Sequence, residues 1–257
     1  MSPRGKLTLS ANTLFHYTKD LDTLVSILIN DFYPRFCLES VNFHPTVPSR
    51  EVAIPFVSFC DIPLSQIRNH TSLYGNYAIG LSKQWGLKNG INPVIYTHRG
   101  SSIPKSIKMM VENTGKTREQ DFWENHLWTV SVYLKPYEGK LWRRDRYKNR
   151  IRFYDEREWR YVPTIKRLLA IGFDTGPVLQ KEEFLNANRV EDGNGKLKQC
   201  SLGFTPKDIK YLIVKTEAEI YDFVMRVRQI KEAKYSREDI EVLVTRIISM
   251  EQIEDDF

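Results

Sequence analysis

The chain has 257 residues, 41% of them apolar and 12% aromatic, which is enough to bury a substantial core, and its formal charge is +6. No run of about 18 apolar residues is present to span a bilayer, and Met1–Leu9 lacks the apolar stretch of a signal peptide, so a cytoplasmic protein with no membrane partner is expected. Cys37, Cys60 and Cys200 are odd in number and widely spaced, and the five histidines never fall three or four residues apart, so neither a disulfide framework nor a metal site is expected.

A strand is expected at Leu14–Tyr17, followed by a helix with Leu21, Leu24, Val25 and Leu28 on one face. Thr18 reads as its N-cap, Asp20 and Asp22 fall in the first turn where the helix dipole favours negative charge, and Pro34 blocks continuation. Phe36–Arg50, with Pro45 and Pro48, reads as a surface loop. The β-branched and aromatic run Val52–Cys60 reads as a buried strand, Asp61–Tyr74 as a helix with Pro63 near its start, and Tyr77–Leu81 as a strand. Further strands are expected at Val94–Thr97, Trp128–Leu134, Phe153–Val162, Ile209–Val214 and Val242–Ile248. A helix over Ala218–Ile230 turns Ile220, Phe223, Val224 and Val227 inward. Strands outnumber helices without alternating regularly, and no repeat or long linker divides the chain, so the expected class is α+β in a single domain.

The phosphate-binding patterns G-x-x-x-x-G-K-[ST] and G-x-G-x-x-G are absent, as are H-E-x-x-H and G-x-S-x-G. The basicity is concentrated: Lys135–Arg167 holds 12 Lys and Arg against 5 Asp and Glu, while Ile230–Phe257 holds 4 against 8. Within the basic stretch, Trp142 and Tyr147 interleave with Arg143, Arg144, Arg146 and Lys148. Stacking surface combined with cations is what single-stranded nucleic acid uses, so these residues are a candidate nucleic-acid contact.

Three pieces stand out in order. Leu14-Phe15-His16-Tyr17-Thr18 leads to a helix ending Ile27-Leu28-Ile29-Asn30-Asp31-Phe32. Phe56-Val57-Ser58-Phe59-Cys60-Asp61 leads toward Tyr74-Gly75, and Asp155–Val162 alternates charged and aromatic residues. Together they resemble the His-Tyr-Glu branch of the ADP-ribosyltransferase superfamily, with Tyr17 and Asp31 standing where that pattern carries glycines. The resemblance covers about a third of the chain. It implies a split mixed sheet with flanking helices and NAD as substrate, held by His16, Tyr17, Thr18, Ser58, Tyr74 and Arg160, with Glu158 and Glu156 catalytic. Over nearly its whole length the chain also resembles the bacterial AbiGi family, associated with abortive phage resistance and described as an antitoxin. That second resemblance rests on Leu14–Thr18, Val57–Ser65, Tyr74–Trp85, Phe153–Pro163 and Leu243–Phe257. It implies a cognate toxin–antitoxin partner and is silent about chemistry.

The residues suit the chemistry. Cleavage of the nicotinamide–ribose bond develops positive charge that a carboxylate stabilises. On a strand Glu156 and Glu158 share a face, so one can engage NAD and the other an acceptor, while Arg160, on the side of Glu158, can bind a diphosphate or pair with Glu156. His16 in an apolar strand is equally suited to the core, and Glu158 to a salt bridge. Two functions are therefore expected: an NAD-dependent mono-ADP-ribosyltransferase acting as a phage-defence effector on nucleic acid, or an antitoxin that neutralises a partner toxin.

Overall fold

The computed structural model describes residues 11–40, 51–67, 71, 73–98, 100–114, 120–143, 146–173 and 178–256. Its strands are β1 (Thr13–Thr18), β2 (Arg35–Ser40), β3 (Glu51–Cys60), β4 (Tyr77–Ser82), β5 (Asn92–Pro93), β6 (Ile95–Thr97), β7 (Leu134–Pro136), β8 (Glu138–Arg143), β9 (Arg146–Arg152), β10 (Glu158–Tyr161), β11 (Leu179–Gln180), β12 (Ile209–Val214) and β13 (Ile247–Ser249). The architecture is α+β with mixed sheet. Packing separates the described residues into two units, one drawn from those within 11–32, 58–90 and 202–256, the other from those within 33–57 and 91–201.

In the first unit, β4 lies between β1 and β12, antiparallel to both, and β12 pairs in parallel with β13. Phe15 of β1 also stands opposite Cys60. Side chains alternate across a strand, so Phe15 and Tyr17 join Ile62, Ile67, Ala78, Ile213, Met250 and Ile253 in one apolar cluster. The helix Leu21–Asn30 buries Leu24 and Leu28, and the helix Ile220–Lys231 packed on it buries Phe223 and Val227. Each such burial contributes about 1.5–3 kcal/mol before the entropy of ordering is counted.

In the second unit β3 is flanked by β2 and β11, both antiparallel to it. Val52, Ile54 and Phe56 pack on Ile107, Val132 and Leu134, while Ala53, one residue out of phase, joins Phe36, Leu168, Leu179 and Leu197. Both faces of β3 are thus apolar, the reason the run reads as buried. β10 pairs with β5, β6 with β7, and β8 with β9 as an antiparallel hairpin.

Several expectations are corrected. The N-cap of the first helix is Asp20, whose carboxylate accepts from the Thr23 N–H at 2.7 Å; Thr18 is still in the strand. The Phe36–Arg50 loop begins as β2, because its residues pair in register with β3, and 41–50 lie outside the described residues. Asp61–Tyr74 is not one helix: Leu64–Gln66 is a 3₁₀ turn, and helical backbone appears at Thr71, Leu73 and Tyr74. Trp128–Ser131 ends the helix Gln120–Ser131, leaving Leu134–Pro136 as the strand. Phe153–Glu156 is a 3₁₀ turn closed by Arg157 at φ 43°, so the strand there starts at Glu158. Val242–Ile248 is divided. Ser236 caps the helix Arg237–Val244 by accepting from the Asp239 N–H, with Glu238 and Asp239 in the first turn, and only Ile247–Ser249 extends. Local capping outweighed the β-branched composition of that run. No helix among the described residues is long and apolar enough to cross a membrane.

Candidate functional site

Glu158 and Arg160 sit two residues apart on β10 and therefore point the same way. Lys135 comes from the middle of β7, Glu156 from the end of the 3₁₀ turn and Glu39 from β2. These side chains form one ion cluster in the second unit. Arg160 Nε donates to Glu158 Oε1 at 2.5 Å and Nη2 donates to Glu158 Oε2 at 3.2 Å. Nη2 also pairs with Glu39 Oε2 at 3.0 Å, and Nη1 donates to the Val132 carbonyl at 3.1 Å. Lys135 Nζ donates to Glu156 Oε2 at 2.7 Å and to Glu158 Oε2. Aromatic rings close two sides, with Phe56 4.2 Å from the Arg160 guanidinium and Phe153 4.7 Å from Lys135 Nζ.

Burial is nearly complete: Arg160 is 0% exposed, Glu156 and Glu158 are 4% and Lys135 is 6%. Burial opposes the charged form of Glu158, but the Arg160 and Lys135 charges and their hydrogen bonds outweigh it and hold the carboxyl down at about 2. Burial likewise opposes the Lys135 ammonium, and Glu158, Glu156 and Glu39 overcome it and raise its pKa well above the usual value. A carboxylate with both oxygens hydrogen-bonded and so depressed a pKa is a weak base at neutral pH. Its evident work is to neutralise two cations inside the unit.

The other anticipated residues lie in the first unit. The Nδ1–H of His16 donates to the Ser58 carbonyl at 2.8 Å, and the ring meets Phe32 and Phe59 edge-on at 5.2 and 5.8 Å. Burial lowers the His16 pKa and so favours the neutral ring, and the hydrogen bond to Ser58 offsets this in part. Thr18 is buried and its hydroxyl donates to the Asp20 carbonyl at 3.1 Å. Tyr17 points into the Phe15 cluster, and its buried hydroxyl has no hydrogen-bond partner among the described residues. Tyr74 is half-buried at the end of a helical turn whose next residue, Gly75, lies against the Thr18 backbone. Tyr77, at the start of β4, donates its hydroxyl to Glu219 at 2.8 Å.

Of the anticipated nucleic-acid contacts, Arg144 lies outside the described residues, as do the side chains of Trp142, Arg143, Arg146 and Lys148. The backbone pairs Trp142 with Tyr147 and Arg143 with Arg146 across the β8–β9 hairpin. The structure thus brings Glu156, Glu158 and Arg160 together, and separately His16 and Ser58. Sequence reasoning missed Glu39 and Lys135. Lys135 carried a signal, a lysine between apolar residues at the start of the basic stretch; Glu39 carried none once its segment was read as loop. Among the described residues no group of three or more His, Cys, Asp or Glu could hold a metal ion.

Asp31 stands where the resembled pattern carries a glycine. It lies at φ 65° and ψ −178°, a region that only glycine adopts without strain. Asp31→Gly is expected to raise stability by about 1 kcal/mol, since relief of about 1–3 kcal/mol of strain exceeds the entropic cost of glycine. For a chain of this size that is a melting temperature higher by about 2–4 °C, and an unchanged or lower value would count against the strain.

The fold and the cluster define an α+β protein whose carboxylates are locked in a buried ion network. Residues 30–215 match the family described as "Putative abortive phage resistance protein AbiGi, antitoxin", and the chain belongs to that family. It is also similar to the abortive phage resistance protein AbiGi of Lactococcus lactis subsp. cremoris, at 27% identity over 255 residues, covering 88% of this chain and 99% of that protein. No solved structure matches the chain.

Proposed function

We propose that this protein is an antitoxin of an abortive-infection system, a binding module without catalytic activity that neutralises a separately encoded toxin. The observation that carries this reading is the state of Glu158. The carboxylate a transferase would use is held at about 2 by Arg160 and Lys135, with hydrogen bonds on both its oxygens. The family description, which names an antitoxin, agrees with it. The test is genetic: expression of the chain alone is harmless, and co-expression restores growth to cells carrying the neighbouring toxin gene. Growth arrest by this chain alone, relieved by Glu158→Gln, would overturn it.

A second reading is favoured by the contact of Gly75 with Thr18, which sets the turn bearing Tyr74 beside the strand bearing His16. In that reading the protein is an NAD-dependent mono-ADP-ribosyltransferase, with Glu158 and Glu156 catalytic. Its acceptor is single-stranded nucleic acid drawn to the basic segment Lys135–Arg167. Incubation of the purified chain with labelled NAD and total cell extract separates the two: label transferred by the wild type and not by Glu158→Gln supports the enzyme, and no transfer supports the antitoxin.

A further inference from the structure

We propose that a cleft beside Lys231, in the first unit, binds a nucleoside phosphate. The helix Leu21–Asn30, the helix Ile220–Lys231 and the segment Gly203–Asp208 line a cleft of about 790 Å³. That is within the roughly 300–1,000 Å³ typical of small-ligand sites. Lys231 follows Phe223 and Val227 on the inward stripe of its helix and is only 5% exposed. Its Nζ donates to the Leu28 carbonyl at 2.6 Å, near the end of the facing helix. An ammonium carries three N–H donors, and Leu28 is the one protein acceptor for Lys231 among the described residues.

The rings of Phe204 and Tyr235 lie 5.2 and 5.7 Å from Nζ and offer π faces to the charge, while the Tyr235 hydroxyl is bonded to the Phe204 carbonyl at 3.4 Å. A cation buried this far with unmatched donors is costly. Consistent with that cost, burial draws the Lys231 pKa below its usual value, with Asp31 opposing. An anion in the cleft supplies both the missing acceptors and the missing charge.

The rest of the lining narrows the anion. Lys88, Arg226 and Lys234 border the same cleft, against Asp31 and Asp208. Asp208 already accepts from the Thr205 N–H at 2.8 Å and hydroxyl at 2.7 Å, and Arg226 is 3.7 Å from Asp22 outside the cleft. The excess of positive charge suits a phosphate, which carries more than one negative charge, better than a single carboxylate. Half-buried Tyr235 supplies aromatic surface for a planar base, and Trp85 and Phe204, nearly buried, complete the aromatic lining. The indole N–H of Trp85 is committed to the Gly203 carbonyl at 3.0 Å, which fixes that ring. Asp31, held beside Lys231 on its strained backbone, offers a carboxylate to ribose hydroxyls, a recurrent way of holding a nucleotide. The antitoxin and transferase readings make no use of this cleft, so its test is independent of both.

The experiment is calorimetric titration of the full chain with the four common nucleoside monophosphates, ATP, adenosine and pyrophosphate. At least one nucleotide is expected to bind, with adenosine and pyrophosphate each weaker by at least about tenfold because each lacks one half of the recognition. Lys231→Met should weaken the nucleotide by about tenfold or more, the effect of losing a charged hydrogen bond. The rim pair Lys88→Ala with Lys234→Ala, both exposed and remote from the core, should weaken it several-fold and lower its salt dependence. If Lys231→Met fails to fold, the rim pair decides alone. Absence of nucleotide binding at millimolar concentration, pyrophosphate binding as tightly as any nucleotide, or affinity unchanged in a folded variant would each overturn the proposal; the first outcome leaves the Lys231 donors to water.

Discussion

Arg160→Ala is expected to destabilise the second unit by about 3–5 kcal/mol, the usual cost of removing one partner from a buried ion pair. The guanidinium serves Glu158, Glu39 and the Val132 carbonyl at once and stacks on Phe56, so its loss leaves the carboxylates of Glu39, Glu156 and Glu158 with the Lys135 ammonium as the one cation of the cluster. Glu158→Gln should cost less. It keeps the volume and leaves Lys135 and Arg160 facing Glu156 and Glu39, two cations against two anions. Urea unfolding of the two variants measures the difference, and Arg160→Ala within about 1 kcal/mol of wild type would show that the cluster does not hold the unit together.

The same cluster shapes the response to pH. The folded pKa of Glu158 lies below its usual 4.5, so its contribution is fully present above 4.5 and is lost as pH falls through about 2. That depression corresponds to about 3 kcal/mol. For Lys135, raised in the folded state, the contribution is present below the usual 10.5 and is lost only as pH passes the higher folded value. Stability from the cluster is therefore flat between those limits. Arg160→Ala should remove much of the loss seen in acid, because the cation first responsible for depressing Glu158 is gone.

Gly75→Ala is the second large effect. Gly75 has φ 111°, and a Cβ built there would lie 2.1 Å from the Thr18 carbonyl oxygen and 2.6 Å from the Lys19 Cα. Those are backbone atoms at the end of β1, which cannot swing aside like a flexible side chain. Backbone strain of about 1–3 kcal/mol and overpacking of about 1–3 kcal/mol act together, for a total of about 2–6 kcal/mol. Gly90 is the control. Its φ is 70° but nothing lies within 4 Å of its added Cβ, so Gly90→Ala should cost only the left-handed penalty of about 1–2 kcal/mol. Thermal unfolding of both variants separates crowding from dihedral strain; equal losses would remove the argument from close approach.

By itself the sequence determined the elements whose periodicity and termini agree. β1, β3, β4 and β12 were legible as short, continuous runs of apolar, β-branched and aromatic residues, and the helices Leu21–Asn30 and Ile220–Lys231 because their apolar residues recur at helical spacing. It also put Glu156, Glu158 and Arg160 in one segment. Lys231 was legible in principle, falling four residues beyond Val227 on the same stripe. Tertiary structure alone decided the rest. Glu158 reads identically as a catalytic carboxylate or a structural ion until Lys135, 23 residues earlier, and Glu39, from β2, are seen on either side of the β10 pair. Whether His16 faces a ligand or a core depends on Phe32, Phe59 and the Ser58 carbonyl, all distant along the chain. The physical reason is common to both: a charge or an imidazole takes its pKa and its partners from whatever the fold packs beside it, and that packing is set by non-local strand pairing that local pattern does not encode.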